Sequence, residues 1–281
     1  MKNIVTIFIL TPLLVYPQSS SFNFRSSENI KKFADHLFCE GDYLRANEQY
    51  ELIKNQLASD TTEFKVMLGY STLGLYQESN EIFERFNDKS YLYPDAYLIS
   101  LKNKILIESK LIKASSIPTF NSFQLKSFNR LTTISMLYCD EFNISREKFI
   151  SLFDEVDRNT VLYFYDYKVE PPYKSPVLAG ILSVIIPGSG KMFVGEWGDG
   201  ITALVVTSLF AFLAYDNFRA DHTTRAWIFT GLGAFFYAGN IYGSVASAQI
   251  FNARIDFEFN NGLELFLKQQ NYFLPEYDFC K

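Results

Sequence analysis

Cysteine and histidine are scarce in this chain: three cysteines and two histidines in 281 residues. Cys39, Cys139 and Cys280 form no C-x-x-C pair, and an odd count predicts neither a disulfide framework nor a zinc site. The three thiols read as small, buried or tolerated side chains. His36 and His222 are far apart in sequence, so neither a catalytic metal nor a Ser-His-Asp arrangement is expected. Clustered Lys and Arg are also missing, and the net charge is −5. Phosphate backbones need a basic face, so nucleic acid is excluded as a partner. Charge is sparse between Pro176 and Ile250, and ionisable groups inside a bilayer are what a transporter or intramembrane enzyme requires. No catalytic residue, cofactor-binding residue or metal ligand is assigned, and Glu196 and Asp199 read as a solvated loop.

What is present begins with a leader. Lys2 is followed by an apolar run, Ile4 to Tyr16, and then by the polar Gln18-Ser19-Ser20-Ser21. That run is too short for a bilayer needing ~20 residues but suits the core of a signal peptide, placed at 1–20.

Gly41-Asp42-Tyr43, Ala46 and Tyr50 recur 33 residues on as Gly74-Leu75-Tyr76, Ser79 and Phe83. A weaker echo falls at Phe142, Ser145 and Phe149, and a decayed one near Ser109, Ile112 and Ser116. A glycine that tolerates positive φ can turn the chain between two helices. The small residue lets helices approach, and the aromatic four residues later lies on the same face. This pattern resembles the tetratricopeptide repeat, over about residues 28 to 157. The resemblance implies paired helices and a groove that binds a protein or peptide.

The aromatic run at Tyr163, Phe164, Tyr165 and Tyr167 leads into Pro171-Pro172-Tyr173, and 158–176 reads as a linker ending at a membrane surface. Three apolar stretches follow. Residues 177–186 are short, broken by Pro187-Gly188-Ser189-Gly190, and read as a half-helix. About 200–218 and 227–247 read as spans, the latter with 21 uncharged residues. Gly231, Gly239, Gly243 and Ser247 fall at multiples of four, a stripe expected to pack against the helix of Ile201 to Tyr215 or against a second copy of the chain. Asn240 is expected to find its hydrogen bond across that contact. A phosphate loop is set aside: GxxxxGK[ST] would need Gly where Ile185 stands and a hydroxyl where Met192 stands.

The run Pro187-Gly188-Ser189-Gly190-Lys191-Met192-Phe193-Val194-Gly195, with Gly200 beyond it, and the run Phe235-Phe236-Tyr237-Ala238-Gly239-Asn240-Ile241-Tyr242-Gly243 are similar to signatures of an uncharacterised family of bacterial membrane proteins. More distantly, they are similar to small two-transmembrane-helix domains. The resemblance implies a fold and a location, with no activity.

The expectation is therefore an all-α, non-enzymatic chain: an exported, tetratricopeptide-like solenoid over 25–157, a linker, a small α-helical membrane domain over 177–250 and a tail over 251–281. It would sit in a bacterial inner membrane with the repeat domain in the periplasm. Its partners would be the bilayer and a protein or peptide, with self-association through the Gly stripe, and its role that of a scaffold or envelope-assembly factor. The competing expectation is a helper of membrane-protein insertion or export acting through its Gly-rich membrane domain.

Overall fold

The computed structural model describes residues 25–108, 117–139, 142–269, 273 and 277–280. Among these residues the chain is all-helical, with twelve α-helices and no strand. The leader at 1–20 and the decayed repeat copy near Ser109 lie outside the described residues. The chain divides into two compact units, the first holding residues up to Leu92 together with Asp278–Lys281 and the second Tyr93–Tyr277.

The first unit contains α1 (Ser27–Cys39), α2 (Tyr43–Ile53), α3 (Asp60–Thr72) and α4 (Tyr76–Glu84). The first three helices start where side chains satisfy their free N–H groups: Ser26, Asp42 and Ser59 accept from the backbones of Asn29, Arg45 and Thr62. Helix α3 begins 33 residues after α1, and α4 begins 33 residues after α2. Each hairpin turns at a glycine of positive φ, Gly41 at 79° and Gly74 at 80°. Ala46, Ser79 and Tyr50 are fully buried, and Ser79 donates to the carbonyl of Met67 at 2.8 Å. Gly69 lets α2 and α3 close up, because a Cβ there would stand 2.7 Å from Oδ1 of Asn47. Helix starts thus recur 33 residues apart across these four helices, and Tyr43, Tyr76 and Phe83 are half-buried on them.

The second unit contains α5 (Tyr93–Glu108), α6 (Ser122–Ser135), α7 (Arg146–Ser151), α8 (Arg158–Val169), α9 (Pro176–Ile185), α10 (Ser189–Phe193), α11 (Trp197–Arg219) and α12 (Thr223–Lys268). Here the period fades. Ser145, read as the counterpart of Ala46, instead caps α7 by accepting from the Lys148 backbone. Phe149 is buried, but against Phe142, Phe153 and Tyr165. A six-residue helix cannot supply the long paired face a repeat needs.

Two boundaries also differ from the sequence expectation. Most of 158–176 is helix α8, whose Phe164 and Tyr167 pack on Phe259. The segment 251–281 is no free tail through Lys268, because α12 runs 46 residues without a break. At 1.5 Å per residue that is about 69 Å, far beyond the ~30 Å hydrocarbon core. Its distal half buries Ile255, Phe259, Leu263 and Leu267. Asn252 clamps the end of the Pro-rich segment, accepting from Lys174 N at 2.8 Å and donating to Lys174 O at 2.9 Å.

Candidate functional site

The first unit gathers charge and rings around Lys65. Asp35 on α1 accepts from Tyr50 Oη and from Lys65 Nζ, each at 2.6 Å. Burial opposes ionisation of Asp35, but these hydrogen bonds and the nearby ammonium outweigh it and hold the carboxyl below its ordinary value. The Lys65 ammonium lies 5.5 Å from the Phe38 ring centroid and 5.3 Å from that of Phe279. Phe279 is brought there by the chain's last residues. Cys280 is disulfide-bonded to Cys39, which corrects the expectation that no cysteine is paired; Cys139 is free. A separation of 241 residues leaves no spacing signal in sequence.

In the second unit the motif Pro187 to Gly200 is a knot of close backbone approaches. Gly188 has φ 86°, and a Cβ there would stand 1.9 Å from the carbonyl oxygen of Gly200. A Cβ at Gly190 would stand 1.9 Å from the carbonyl oxygen of Ala179, and one at Gly200 would meet Met192 at 2.6 Å. Gly195, φ 96°, turns α10 into α11. Pro187 ends α9 before this knot. A serine ladder ties it to α12: Gly190 N donates to Ser183 Oγ at 3.0 Å, Ser183 meets Ser244 at 2.6 Å, and Ser247 donates to Glu196 at 2.6 Å. The stem of Lys191 crosses Gly243, whose Cβ position is 3.3 Å from Lys191 Cε. Its ammonium lies 3.9 Å from Asp199.

The glycine stripe is divided in its roles. Cβ positions at Gly231 and Gly239 meet nothing within 4 Å, so within one chain neither is where α11 and α12 close up. That approach falls at Gly233, against Phe210 Cβ at 3.4 Å, beside the stacked pair Phe210–Phe236. Asn240 is only 6% exposed, and neither atom of its carboxamide has a hydrogen-bond partner. Gly239 and Asn240 border a cavity of about 370 Å³ that also reaches Lys191, Val206, Thr207 and Phe236. Thr207, Ser183 and Ser244 belong to no motif, and their one signal in sequence is a hydroxyl inside an apolar run.

Among the described residues one helix, Trp197–Arg219, is long and apolar enough to cross a bilayer, with mean hydropathy 1.5 over its most apolar stretch. The uncharged part of α12 is diluted by Tyr237, Asn240, Tyr242 and its glycines. Both helices nonetheless expose large apolar side chains, among them Val205, Phe212, Trp227, Ile228 and Phe235.

No family model matches the chain, and no solved structure matches it. A stretch of 79 residues is 30% identical to "Uncharacterized protein MJ1516" of Methanocaldococcus jannaschii, covering 27% of this chain and 76% of the archaeal protein. Through that stretch the chain belongs to the same family as the Methanocaldococcus jannaschii protein.

Proposed function

We propose that the chain is a membrane-anchored scaffold whose exported helical hairpins bind a protein or peptide. In this reading α11 and α12 cross the bilayer as a hairpin, and α9 and α10 lie at one surface as a half-inserted wedge. The exposed apolar flanks of α9, α11 and α12 support it, with Val177, Ile185, Leu209 and Tyr242 all more than half exposed. At ten residues, α9 reaches about 15 Å and is too short to span.

The observation that carries the reading is the Cys39–Cys280 bond. Disulfides persist in oxidising compartments, so the bond supports export of the segment bearing Cys39. It also requires both cysteines to be on one side of the bilayer, so the chain crosses an even number of times between them. One crossing by α11 and one return by α12 satisfies that count. The loop Ala220–His222 between Arg219 and Arg225 then faces the cytoplasm, where short loops carry their arginines. The recurring hairpins of α1 to α4 supply the binding surface, and Gly231, facing open space, is free to meet a second copy.

Intact cells expressing the full chain are treated with a membrane-impermeant maleimide, with and without prior mild reduction. Labelling of Cys280 only after reduction, together with protection of a cysteine placed at Asp221, is the expected pattern. Labelling at Asp221→Cys from outside, or no labelling of Cys280 even after reduction, overturns the topology, and a thiol at Cys280 that reacts without reduction overturns the disulfide. Retention of a protein partner by the intact chain, lost on deleting residues 25–92, tests the scaffold role.

A further inference from the structure

The cavity between α11 and α12 is lined by two residues whose polar groups the fold leaves unsatisfied. Thr202 and Thr230 both return their hydroxyls to the carbonyl four residues back, at 2.9 Å. Thr207 does not: its Oγ1 is buried without a partner, as are Oδ1 and Nδ2 of Asn240. An unsatisfied buried polar group is costly, and Thr207 and Asn240 line the same cavity, which marks it as a site that something else completes. Val206, Phe235 and Phe236 add apolar lining, and Gly239 leaves the space open. A cavity of about 370 Å³ holds far more than the single water that would satisfy one amide. At one end stands Lys191, whose nearest carboxylate, Asp199, is 3.9 Å away and 71% exposed.

We propose that this cavity binds the phosphate–glycerol head of a phospholipid. The Lys191 ammonium meets the phosphate, and Asn240 and Thr207 take the glycerol and ester oxygens, the carboxamide supplying donors and an acceptor. The acyl chains leave past Phe235, which is 74% exposed on the apolar flank. The assignment rests on the membrane hairpin proposed above, in which the end of α11 bearing Glu196, Trp197 and Asp199 marks the polar boundary of the bilayer. That places the cavity where headgroup gives way to hydrocarbon. A soluble phosphate ester shares the polar chemistry but would leave the apolar wall and the open flank uncovered.

The full chain in mild detergent is titrated with phosphatidylglycerol, with diacylglycerol and with soluble glycerol 3-phosphate, and bound species are read by native mass spectrometry. One phosphatidylglycerol per chain is expected, with glycerol 3-phosphate at least tenfold weaker. Asn240→Leu combined with Thr207→Val should weaken retention at least tenfold while unfolding at or above the wild-type temperature, since it removes unsatisfied groups. Gly239→Leu fills the space and should abolish retention with every polar group left in place. Lys191→Gln should lower phosphatidylglycerol binding towards that of diacylglycerol. Equal retention by wild type and Gly239→Leu overturns the site, and equal binding of glycerol 3-phosphate overturns the lipid as its source. Absence of the chain from the membrane fraction overturns the hairpin reading separately.

Discussion

Cys280 closes a ring on Cys39 across 241 residues, with their Cα atoms 5.6 Å apart. The ring contains the whole second unit, and its closure delivers Phe279 to an aromatic group with Phe38 and Phe64. In the chain-entropy view a loop of this length stabilises by about 5 kcal/mol. Cys280→Ser should therefore lower the unfolding temperature of the first unit and slow the chain on a non-reducing gel to its reduced mobility. Identical mobility of wild type with and without reductant would show that the bond does not form.

The glycines of the Pro187–Gly200 motif should separate by what surrounds them. Gly190→Ala places a methyl 1.9 Å from the Ala179 carbonyl oxygen and 2.6 Å from Ser183 Oγ. Backbone cannot yield there cheaply, so accumulation of the folded chain should collapse. Gly198→Ala, whose Cβ meets nothing within 4 Å, should be silent or slightly stabilising in helix α11. Equal expression of the two variants would show that the knot is not the packing unit of this motif.

Much of this arrangement was legible in sequence where a local period or a local clash sets the structure. The 33-residue step coincides with the spacing of the helix starts of α1 to α4, and the glycines at 41 and 74 stand at positive φ where the chain turns. The repeat was over-extended to Phe142 and Phe149 because aromatic spacing survives where the hairpin does not; Ser145 has the right size for a helix contact and serves as a cap. The end of the last apolar stretch is not the end of its helix. Charges at Arg254 and Asp256 stop a hydrocarbon span, but they do not stop a helix, and α12 continues past both. The pairing of Cys39 with Cys280 depends on where the last residues return, and that information is global. Asn240 was expected to be satisfied; that it is buried without a partner emerges only from three-dimensional packing.

Lys102 on α5 is 3% exposed, and burial alone pulls its ammonium down to about 8 from 10.5. A lysine depressed in this way binds its proton more weakly folded than unfolded. Below pH 8 both states are charged and folding carries the full desolvation cost, about 3 kcal/mol. Between pH 8 and 10.5 the unfolded chain holds the extra proton, so stability rises with pH across that window. Lys102→Met should raise the thermal midpoint at pH 7, and the advantage should shrink towards pH 10.5. An advantage constant from pH 7 to 10.5 would locate the effect in packing instead of charge.

Asp35 titrates in the opposite sense and gives the clearest acid signature of the first unit. Burial opposes its charge, but Lys65 and Tyr50 donate to it and Lys31 lies 3.9 Å away, so its folded pKa is depressed. The stabilisation is present above the ordinary carboxylate value and is lost as pH falls through the lower, folded value. Lys65→Met removes the ammonium from Asp35 and from the two rings, leaving a half-buried carboxylate with Tyr50 and Lys31. A cost of about 1–3 kcal/mol at pH 7 follows from stranding a partly buried polar group. Adding Asp35→Asn should recover part of that cost, because the amide oxygen still accepts from Tyr50 and no charge is stranded; a double-mutant cycle at pH 7 and pH 3 isolates the pair. The coupling should be present at pH 7 and smaller at pH 3, because acid moves Asp35 towards its depressed folded value. Coupling of the same size at both pH values would mean that the ion pair contributes nothing and that Lys65 acts through its contacts with Phe38 and Phe279 alone.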